Sequence, residues 1–135
     1  IALPALSGTK ANIVIAIDSS GSIDGNLLSR FLSEVESIMN SFENFEINLI
    51  VADAKVQEHH ILYPGDELSY KIKGGGGTNF INTFDYIDEN IDEVNLLLYF
   101  TDGFGKFPTN EPHYNVAWIS SENIEVPFGS NIILY

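Results

Sequence analysis

The residues of this sequence best suited to chemistry follow an apolar run near its start. The run, Ile13 to Ile17, is rich in β-branched side chains and predicts a strand buried on both faces of a parallel sheet. Asp18, Ser20 and Ser22 come next, and alternate residues of an extended segment point in the same direction. Three hard oxygen groups that converge on one point suit a hard cation such as Mg²⁺.

The same pentapeptide, Asp18 to Ser22, also fits a turn that binds nothing. Loops between a strand and a helix favour Ser, Asp and Gly because these residues cap helices and reverse the chain. Taken alone, the five residues support a metal site and a capped turn equally. Segments further along the chain must separate the two hypotheses.

Two later segments carry polar groups that are expected at the same edge of the sheet as Asp18, Ser20 and Ser22. Four glycines, Gly74 to Gly77, lead through Thr78 into a predicted helix, and they lack the Gly-Lys-Ser/Thr ending of a phosphate-binding loop. A second apolar run, Val94 to Phe100, ends in Thr101-Asp102-Gly103. Because parallel strands end at a common edge of the sheet, we expect these groups to meet there. The predicted edge collects Asp18, Ser20, Ser22, Thr78 and Asp102.

Asp53 directly follows another predicted strand, Phe45 to Ala52. We expect Asp53 at the rim of the same edge rather than among the metal ligands, and a plain turn-forming aspartate explains it equally well. Asp53-Ala54 leaves almost no residues before the next predicted strand, Lys55 to Leu62. Two strands joined so tightly must run antiparallel, so Lys55 to Leu62 is predicted to form an antiparallel edge.

The elements that must position these groups follow from the hydrophobic period. Helices are predicted along the apolar stripes Leu27 to Phe42, capped by Ser22 or Asp24, and Phe80 to Ile91, capped by Thr78 or Asn79. The remaining strands are predicted at 12–17, 116–120 and 131–135, whereas 67–73 is either a short strand or an extended connection. The fold class is therefore α/β, an open, mostly parallel, doubly wound (Rossmann-like) sheet with one antiparallel edge strand.

The adjacent histidines His59 and His60 are weak candidates for a metal site. Neighbouring residues of a strand point to opposite faces, so the two cannot bind one ion without distortion. They also lack the spacing of a zinc protease helix. We interpret both as surface or edge residues.

Composition narrows the classes of function. A chain of 135 residues with 44% hydrophobic residues is long enough to bury the core of a single domain, spanning 1–135. The net charge of −13 argues against nucleic-acid binding, because phosphate backbones are repelled. No cysteine is present, which excludes thiol catalysis and cysteine-bound zinc, and no segment predicts a membrane span. Because the sequence begins at Ile1, it could be the carboxyl-terminal part of a longer protein.

The ordered combination Asp-x-Ser-x-Ser, a Gly-Thr loop and Thr-Asp-Gly resembles the von Willebrand factor A (VWA) domain with its metal-ion-dependent adhesion site (MIDAS). The resemblance covers nearly the whole chain. Several segments look like the VWA-like domain at the carboxyl end of bacterial predicted metal-dependent peptidases: 74–78, 99–103, 118–119 and 127–129. The chain departs from a typical A domain at Gly103 to Asn115, where the expected helix is not legible.

The resemblance implies that Ser20, Ser22 and Thr78 bind the metal directly and that Asp18 and Asp102 act through ordered waters. It implies a divalent cation, Mg²⁺ first, with Mn²⁺ or Ca²⁺ as alternatives. The expected partner is a protein that offers a carboxylate, in a bacterial cytoplasmic complex that could contain a MoxR-type AAA ATPase. The His-Glu-x-x-His helix of the peptidase-like region is absent from this sequence, so no peptidase activity is assigned to it.

Two classes of function are compared. The first is a metal-dependent protein-binding module, adhesive or scaffolding. The second is a Mg²⁺-dependent phosphotransferase or phosphatase of the haloacid dehalogenase type, which also places Asp at the end of its first strand. That motif needs a second Asp two residues later, where this sequence has Ser20. No histidine is predicted at this edge to act as a general base, so the sequence favours a non-enzymatic binding module.

Overall fold

The structure is a computed structural model that describes residues 10–68 and 74–134. These residues form six strands and two helices, in the order β1 α1 β2 β3 α2 β4 β5 β6. The strands are β1 (Ala11–Asp18), β2 (Phe45–Ala52), β3 (Val56–Leu62), β4 (Leu96–Phe100), β5 (Asn115–Ser120) and β6 (Ser130–Ile133). The helices are α1 (Gly25–Ser41) and α2 (Phe80–Asn90). Part of the ambiguous stretch 67–73 lies outside the described residues.

The six strands form one sheet in the order β3-β2-β1-β4-β5-β6. Every neighbouring pair is parallel except β2 with β3, which is antiparallel. The predicted antiparallel edge is therefore confirmed, and the short turn at Asp53-Ala54 is its cause. In the register of the central strands, Asp18 lies opposite Ala52 of β2, and Ile17 lies opposite Phe100 of β4. This register brings the ends of β1, β2 and β4 to one edge.

The two faces of the sheet bury separate apolar clusters. On one face, Phe31, Val35 and Ile38 of α1 pack against side chains such as Ile15 and Leu49. On the other face, Phe80, Phe84 and Ile87 of α2 pack against Tyr99 and Trp118, in a cluster rich in edge-to-face and stacked rings. With one helix on each face, the predicted doubly wound architecture is confirmed.

Both helices begin where the sequence supplies a capping side chain. Asp24 Oδ1 accepts a hydrogen bond from Leu27 N at 2.8 Å, and Asn79 Oδ1 accepts from Ile81 N at 3.0 Å. Of the alternatives that the sequence left open, Asp24 and Asn79 are therefore the caps. The position of α2 is thereby fixed immediately after Thr78.

The chain between β4 and β5 contains no helix, as predicted, and neither does the chain between β5 and β6. Aromatic side chains from these irregular segments cover the sheet in place of a helix. Phe107 lies 5.0 Å from Trp118, measured between ring centroids, and Phe128 lies 5.7 Å from Phe84. Large rings therefore extend the cover that α2 gives to this face.

His59 is more than the edge residue that the sequence predicts. Its Nδ1 lies 2.8 Å from Tyr86 Oη and its Nε2 lies 2.7 Å from Asn48 Oδ1, so the half-buried ring joins β3, α2 and β2. His60 is exposed. Within the described part of the chain, no helix is both long and apolar enough to cross a membrane.

Candidate metal centre at the carboxyl edge of the sheet

Asp18 is the last residue of β1 and is fully buried. Its Oδ1 accepts a hydrogen bond from Ser20 N at 2.9 Å, and its Oδ2 accepts one from Thr101 Oγ1 at 2.6 Å. Burial raises the pKa of the Asp18 carboxyl, hydrogen bonds from Thr101 and Ser20 partly offset this, and the nearby charge of Asp102 raises it further. The protein therefore stabilises this anion incompletely.

The hydroxyls of Ser20 and Ser22, two and four residues after Asp18, form a pair. Their Oγ atoms are 3.1 Å apart, and the turn that holds them is closed by a hydrogen bond from Ile23 N to Ser20 O. Ser20 is buried whereas Ser22 is exposed, so the pair runs from the interior to the surface. Two neutral oxygens are thus presented side by side, next to a buried carboxylate.

Thr101 and Asp102 enter the site from the end of β4. Thr101 is fully buried, and its hydroxyl donates to Asp18 and accepts from Gly103 N at 3.1 Å. Asp102 is half-buried, and its Oδ1 accepts from Phe104 N at 3.1 Å. Thr101 therefore orients the Asp18 carboxylate, while Asp102 adds a second negative charge close to it.

The glycine loop is docked on the turn after β1 by two backbone hydrogen bonds. Gly75 N donates to Ser19 O at 2.8 Å, and Gly21 N donates to Gly76 O at 3.0 Å. Gly74 has a φ of +153°, and a Cβ atom there would lie 2.4 Å from Ser19 O. The loop can therefore lie this close only because position 74 is glycine. The docked loop brings the half-buried Thr78 to the same edge.

Asp53 holds the glycine loop from its other side. Its Oδ2 accepts a hydrogen bond from Gly76 N at 3.2 Å, while its Oδ1 accepts from Gln57 Nε2 at 2.9 Å and Lys55 N at 3.2 Å. Burial acts to raise the pKa of Asp53, but these hydrogen bonds outweigh it and hold the pKa below its usual value. Asp53 therefore anchors both its own turn and the loop that carries Thr78.

The donor set fits a small hard cation held mainly by hydroxyls. Neighbouring ligands of an octahedral Mg²⁺, each about 2.05 Å from the ion, are about 2.9 Å apart, close to the 3.1 Å between Ser20 Oγ and Ser22 Oγ. Among the described residues, no group of three or more His, Cys, Asp or Glu side chains is placed to hold a metal. A cation at this edge would thus depend on Ser20, Ser22 and Thr78, with only Asp18 and Asp102 supplying charge.

The structure thus brings Asp18, Ser20 and Ser22 into one hydrogen-bonded group, places Asp102 within electrostatic reach, and adds Thr78 through the docked loop. The sequence reasoning missed Thr101 as the residue that orients Asp18, and it missed Asp53 as the anchor of the glycine loop. Thr101 is the residue after Phe100, which pairs with Ile17, so only the strand register identifies it as the neighbour of Asp18. Nothing in the local sequence distinguishes Asp53 from an ordinary turn residue.

Solved structures share this fold at low sequence identity. The crystal structure of the ArnB paralog VWA2 from Sulfolobus acidocaldarius matches with a TM-score of 0.65 and 18% identity, covering 86% of this chain and 36% of that chain. An aerotolerance-related membrane protein from Bacteroides fragilis, carrying multiple mutations to serines, matches with a TM-score of 0.61 and 16% identity, covering 82% of this chain and 67% of that one. This chain therefore spans about a third of the VWA2 chain.

The search of curated proteins gave no match. The family described as VWA-like domain (DUF2201) matches residues 13–135, which include β1 from its third residue, the other five strands, both helices and the five candidate metal ligands. The VWA resemblance of the sequence is therefore confirmed, and the chain belongs to the VWA-like domain family DUF2201.

Proposed function

We propose that this domain is a metal-dependent protein-binding module that uses a MIDAS-type site. A VWA-like fold supports a protein-interaction or scaffold role in general terms. The observation that carries the finer proposal is the pair of hydroxyls, Ser20 and Ser22, 3.1 Å apart beside the buried, incompletely stabilised Asp18 carboxylate. A divalent cation, Mg²⁺ first and Mn²⁺ or Ca²⁺ as alternatives, would relieve that buried charge.

The chemistry of the ligands favours capture of a carboxylate. Ser20, Ser22 and Thr78 are neutral, so a cation that they hold keeps much of its positive charge. Mg²⁺ also retains exchangeable waters, one of which a partner's carboxylate can replace. Asp18 and Asp102 would act from behind the hydroxyls, because both Asp18 oxygens already accept hydrogen bonds from Ser20 and Thr101.

The same contacts argue against the phosphotransferase alternative. A nucleophilic aspartate must reach its substrate, but Asp18 is fully buried and both its oxygens are engaged. Position 20, where that mechanism needs a second carboxylate, is Ser20. We therefore propose no enzymatic activity for this chain, and a screen with generic phosphoesters should give no metal-dependent hydrolysis.

The partner and location are proposed from the family resemblance alone. A protein with an accessible acidic side chain, in a bacterial cytoplasmic complex that contains a MoxR-type AAA ATPase, would suit the site. The link to a predicted metal-dependent peptidase would reside in a separate region of a longer protein.

Water-proton relaxation with Mn²⁺ tests the proposed site. Mn²⁺ bound at Ser20 and Ser22 with exchangeable waters should strongly enhance relaxation in the wild-type protein. Ser20→Ala and Ser22→Ala should remove most of that enhancement, whereas Ser29→Ala, on the exposed face of α1, should retain it. Adding a peptide that carries a carboxylate should then reduce the wild-type enhancement by displacing water. Equal enhancement in all four proteins would contradict the proposal.

A further inference from the structure

Phe104 is the most exposed large hydrophobic residue among those described, with 75% of its surface accessible. It lies two residues after Asp102, at the edge that holds the candidate metal centre. Ile61 and Tyr63 are exposed by 48% and 47%, but they lie at the end of the antiparallel β3, which is the opposite edge of the sheet. A single exposed aromatic residue is ordinary in itself, so its surroundings decide whether it has a role.

The backbone that carries Phe104 is fixed on both sides. Before the ring, Phe104 N donates to Asp102 Oδ1 at 3.1 Å. After it, Phe80 N donates to Lys106 O at 3.1 Å, and the Phe107 ring packs 4.7 Å from the Phe80 ring. A side chain that projects from so rigid a support loses little conformational freedom when a partner covers it.

The residue after Phe104 also packs on a predicted metal ligand. Gly105 is packed so closely on Thr78 that a Cβ atom at position 105 would lie 2.7 Å from Thr78 Cγ2. The segment that presents the phenyl ring is therefore in contact with the segment that presents the Thr78 hydroxyl. A group bound beside Thr78 would therefore lie close to the segment that carries Phe104.

Two of the few basic residues of this strongly acidic protein, Lys55 and Lys106, lie near the same edge. Only 6 of the 135 residues are basic, against 19 acidic ones. In the described ranges, the side chains of Lys55 and Lys106 form no ion pair, whereas Lys10 at the other edge pairs with Glu46 at 3.6 Å. The two lysine-bearing turns flank the start of α2, because Asn82 Nδ2 donates to Ala54 O and Phe80 N donates to Lys106 O. Together with a bound divalent cation, these two lysines would offset the charges of Asp18, Asp53 and Asp102 and attract a negatively charged partner segment.

We propose that the partner binds as an acidic segment that also carries an apolar side chain. In this arrangement, one carboxylate reaches the metal centre at Ser20, Ser22 and Thr78, an aromatic or aliphatic side chain packs on Phe104, and a second acidic residue faces Lys106. The inference rests on the proposed metal-dependent function and adds the class of partner sequence that the edge selects.

Selection from a phage-displayed library of random peptides, with the 135-residue chain as bait in MgCl₂, tests this inference. The enriched peptides should combine at least two acidic residues with an aromatic or aliphatic residue between or beside them. Enrichment of basic peptides, of peptides without an apolar residue, or of no peptide would contradict the inference.

The enriched peptides are then labelled and titrated against variants by fluorescence anisotropy. Phe104→Ser should weaken binding about tenfold or more, and Lys106→Glu by a smaller factor of about three to ten. The matched controls Tyr63→Ser and Lys10→Glu, at the opposite edge, should leave binding within about twofold. All four variants change exposed side chains, and a melting curve verifies that each is folded.

Removal of the metal with EDTA distinguishes failure of the proposed metal-dependent function from failure of the inferred contact with Phe104 and Lys106. If wild-type binding survives EDTA and Ser20→Ala, the metal-dependent function is wrong. If binding requires the metal but Phe104→Ser and Lys106→Glu bind as wild type does, the metal site stands and the inferred contact with Phe104 and Lys106 is wrong.

Discussion

The strands β1 and β2 are neighbours in the sheet, yet the pKa values of Asp18 and Asp53, at their ends, shift in opposite directions. Asp18 and Ala52 are paired across the two strands, so Asp18 and Asp53 emerge at the same edge. Burial raises the pKa of Asp18, whereas hydrogen bonds from Gln57, Lys55 and Gly76 outweigh the effect of burial on Asp53 and hold its pKa below its usual value.

This difference distinguishes Asp53, an aspartate with a structural role, from Asp18, an aspartate suited to a bound cation. Asp53 receives three hydrogen bonds from the protein and keeps its charge at a low cost, so nothing further is needed to stabilise it. Asp18 receives hydrogen bonds but remains fully buried near the like charge of Asp102. A cation bound by Ser20 and Ser22 would supply the electrostatic stabilisation that the Asp18 carboxylate lacks. Substituting asparagine at each position should therefore have opposite effects.

Asp53→Asn should give the largest effect, a destabilisation of about 1–3 kcal/mol, because the new amide cannot accept all three hydrogen bonds. For a domain of this size, each kcal/mol of destabilisation lowers the melting midpoint by roughly 3–5 °C. Thermal unfolding at neutral pH measures the change in midpoint. The contribution of a carboxyl whose pKa is lowered on folding is present above the unfolded value of 3.8 and is lost as pH falls through the folded pKa. The difference from wild type should therefore shrink in acid.

Asp66→Asn provides the control for that substitution. Asp66 also closes a turn, accepting from Tyr63 N at 2.7 Å, but it is exposed and, among the described residues, makes no hydrogen bond to the glycine loop. An equal loss of stability in both variants would contradict the special role given to Asp53.

Gly74→Ala should destabilise the domain by about 1–3 kcal/mol, through its φ of +153° and the clash with Ser19. The glycine loop should then detach from the turn after β1 and weaken metal binding at Thr78. Gly77→Ala is the matched control, since its Cβ would meet no atom within 4 Å and its φ is not in the left-handed region. Hydrogen exchange of the Gly21 and Gly75 amides should speed up only in Gly74→Ala, and unchanged exchange there would show that the loop is not held as described.

Asp18→Asn should stabilise the protein in EDTA, by a few degrees in melting midpoint. A carboxyl whose pKa is raised on folding stabilises the fold below its unfolded value of 3.8, and that contribution is lost as pH rises through the folded pKa. At neutral pH the buried charge is therefore unfavourable and its removal should help. Asp18→Ala, which also leaves the donors Ser20 N and Thr101 Oγ1 without an acceptor, should instead lose stability. A drop in Asp18→Asn like that of Asp53→Asn would break the comparison.

His59 gives the smallest expected effect and an independent pH reference away from both aspartates. Burial and the neighbouring His60 lower the pKa of His59, so its stabilising contribution is complete above the unfolded value of 6.5 and is lost as pH falls. Melting midpoints should thus fall by a few degrees at most between about pH 7 and pH 5. His59→Gln should remove this change, whereas Asp18→Asn and Asp53→Asn should retain it. A pH response that survives His59→Gln would assign it to another group.

The fold was largely predictable because local sequence patterns indicate most of its elements. Continuous apolar runs marked the buried strands, the turn at Asp53-Ala54 forced the antiparallel edge, and Asp24 and Asn79 capped the helices. Ordered spacing predicted which polar groups share one edge, and the VWA resemblance implied that five of them act on a metal. What sequence patterns could not supply were contacts set by register and loop docking. Thr101 meets Asp18 across β1 and β4, Asp53 holds Gly76, and His59 joins Tyr86 and Asn48, all between residues that are far apart or locally unremarkable.

The most direct test of the metal centre is the melting midpoint of the wild-type protein with and without Mg²⁺, against a NaCl series of matched ionic strength. A ligand at 100 times its Kd adds about 2.7 kcal/mol, so saturating Mg²⁺ should raise the midpoint by several degrees beyond the effect of NaCl. Ser20→Ala and Thr78→Ala should lose most of that rise, while Ser29→Ala should keep it. Equal stabilisation by NaCl and by Mg²⁺, in wild type and all variants alike, would mean that Asp18 to Ser22 is a capped turn without a specific cation site.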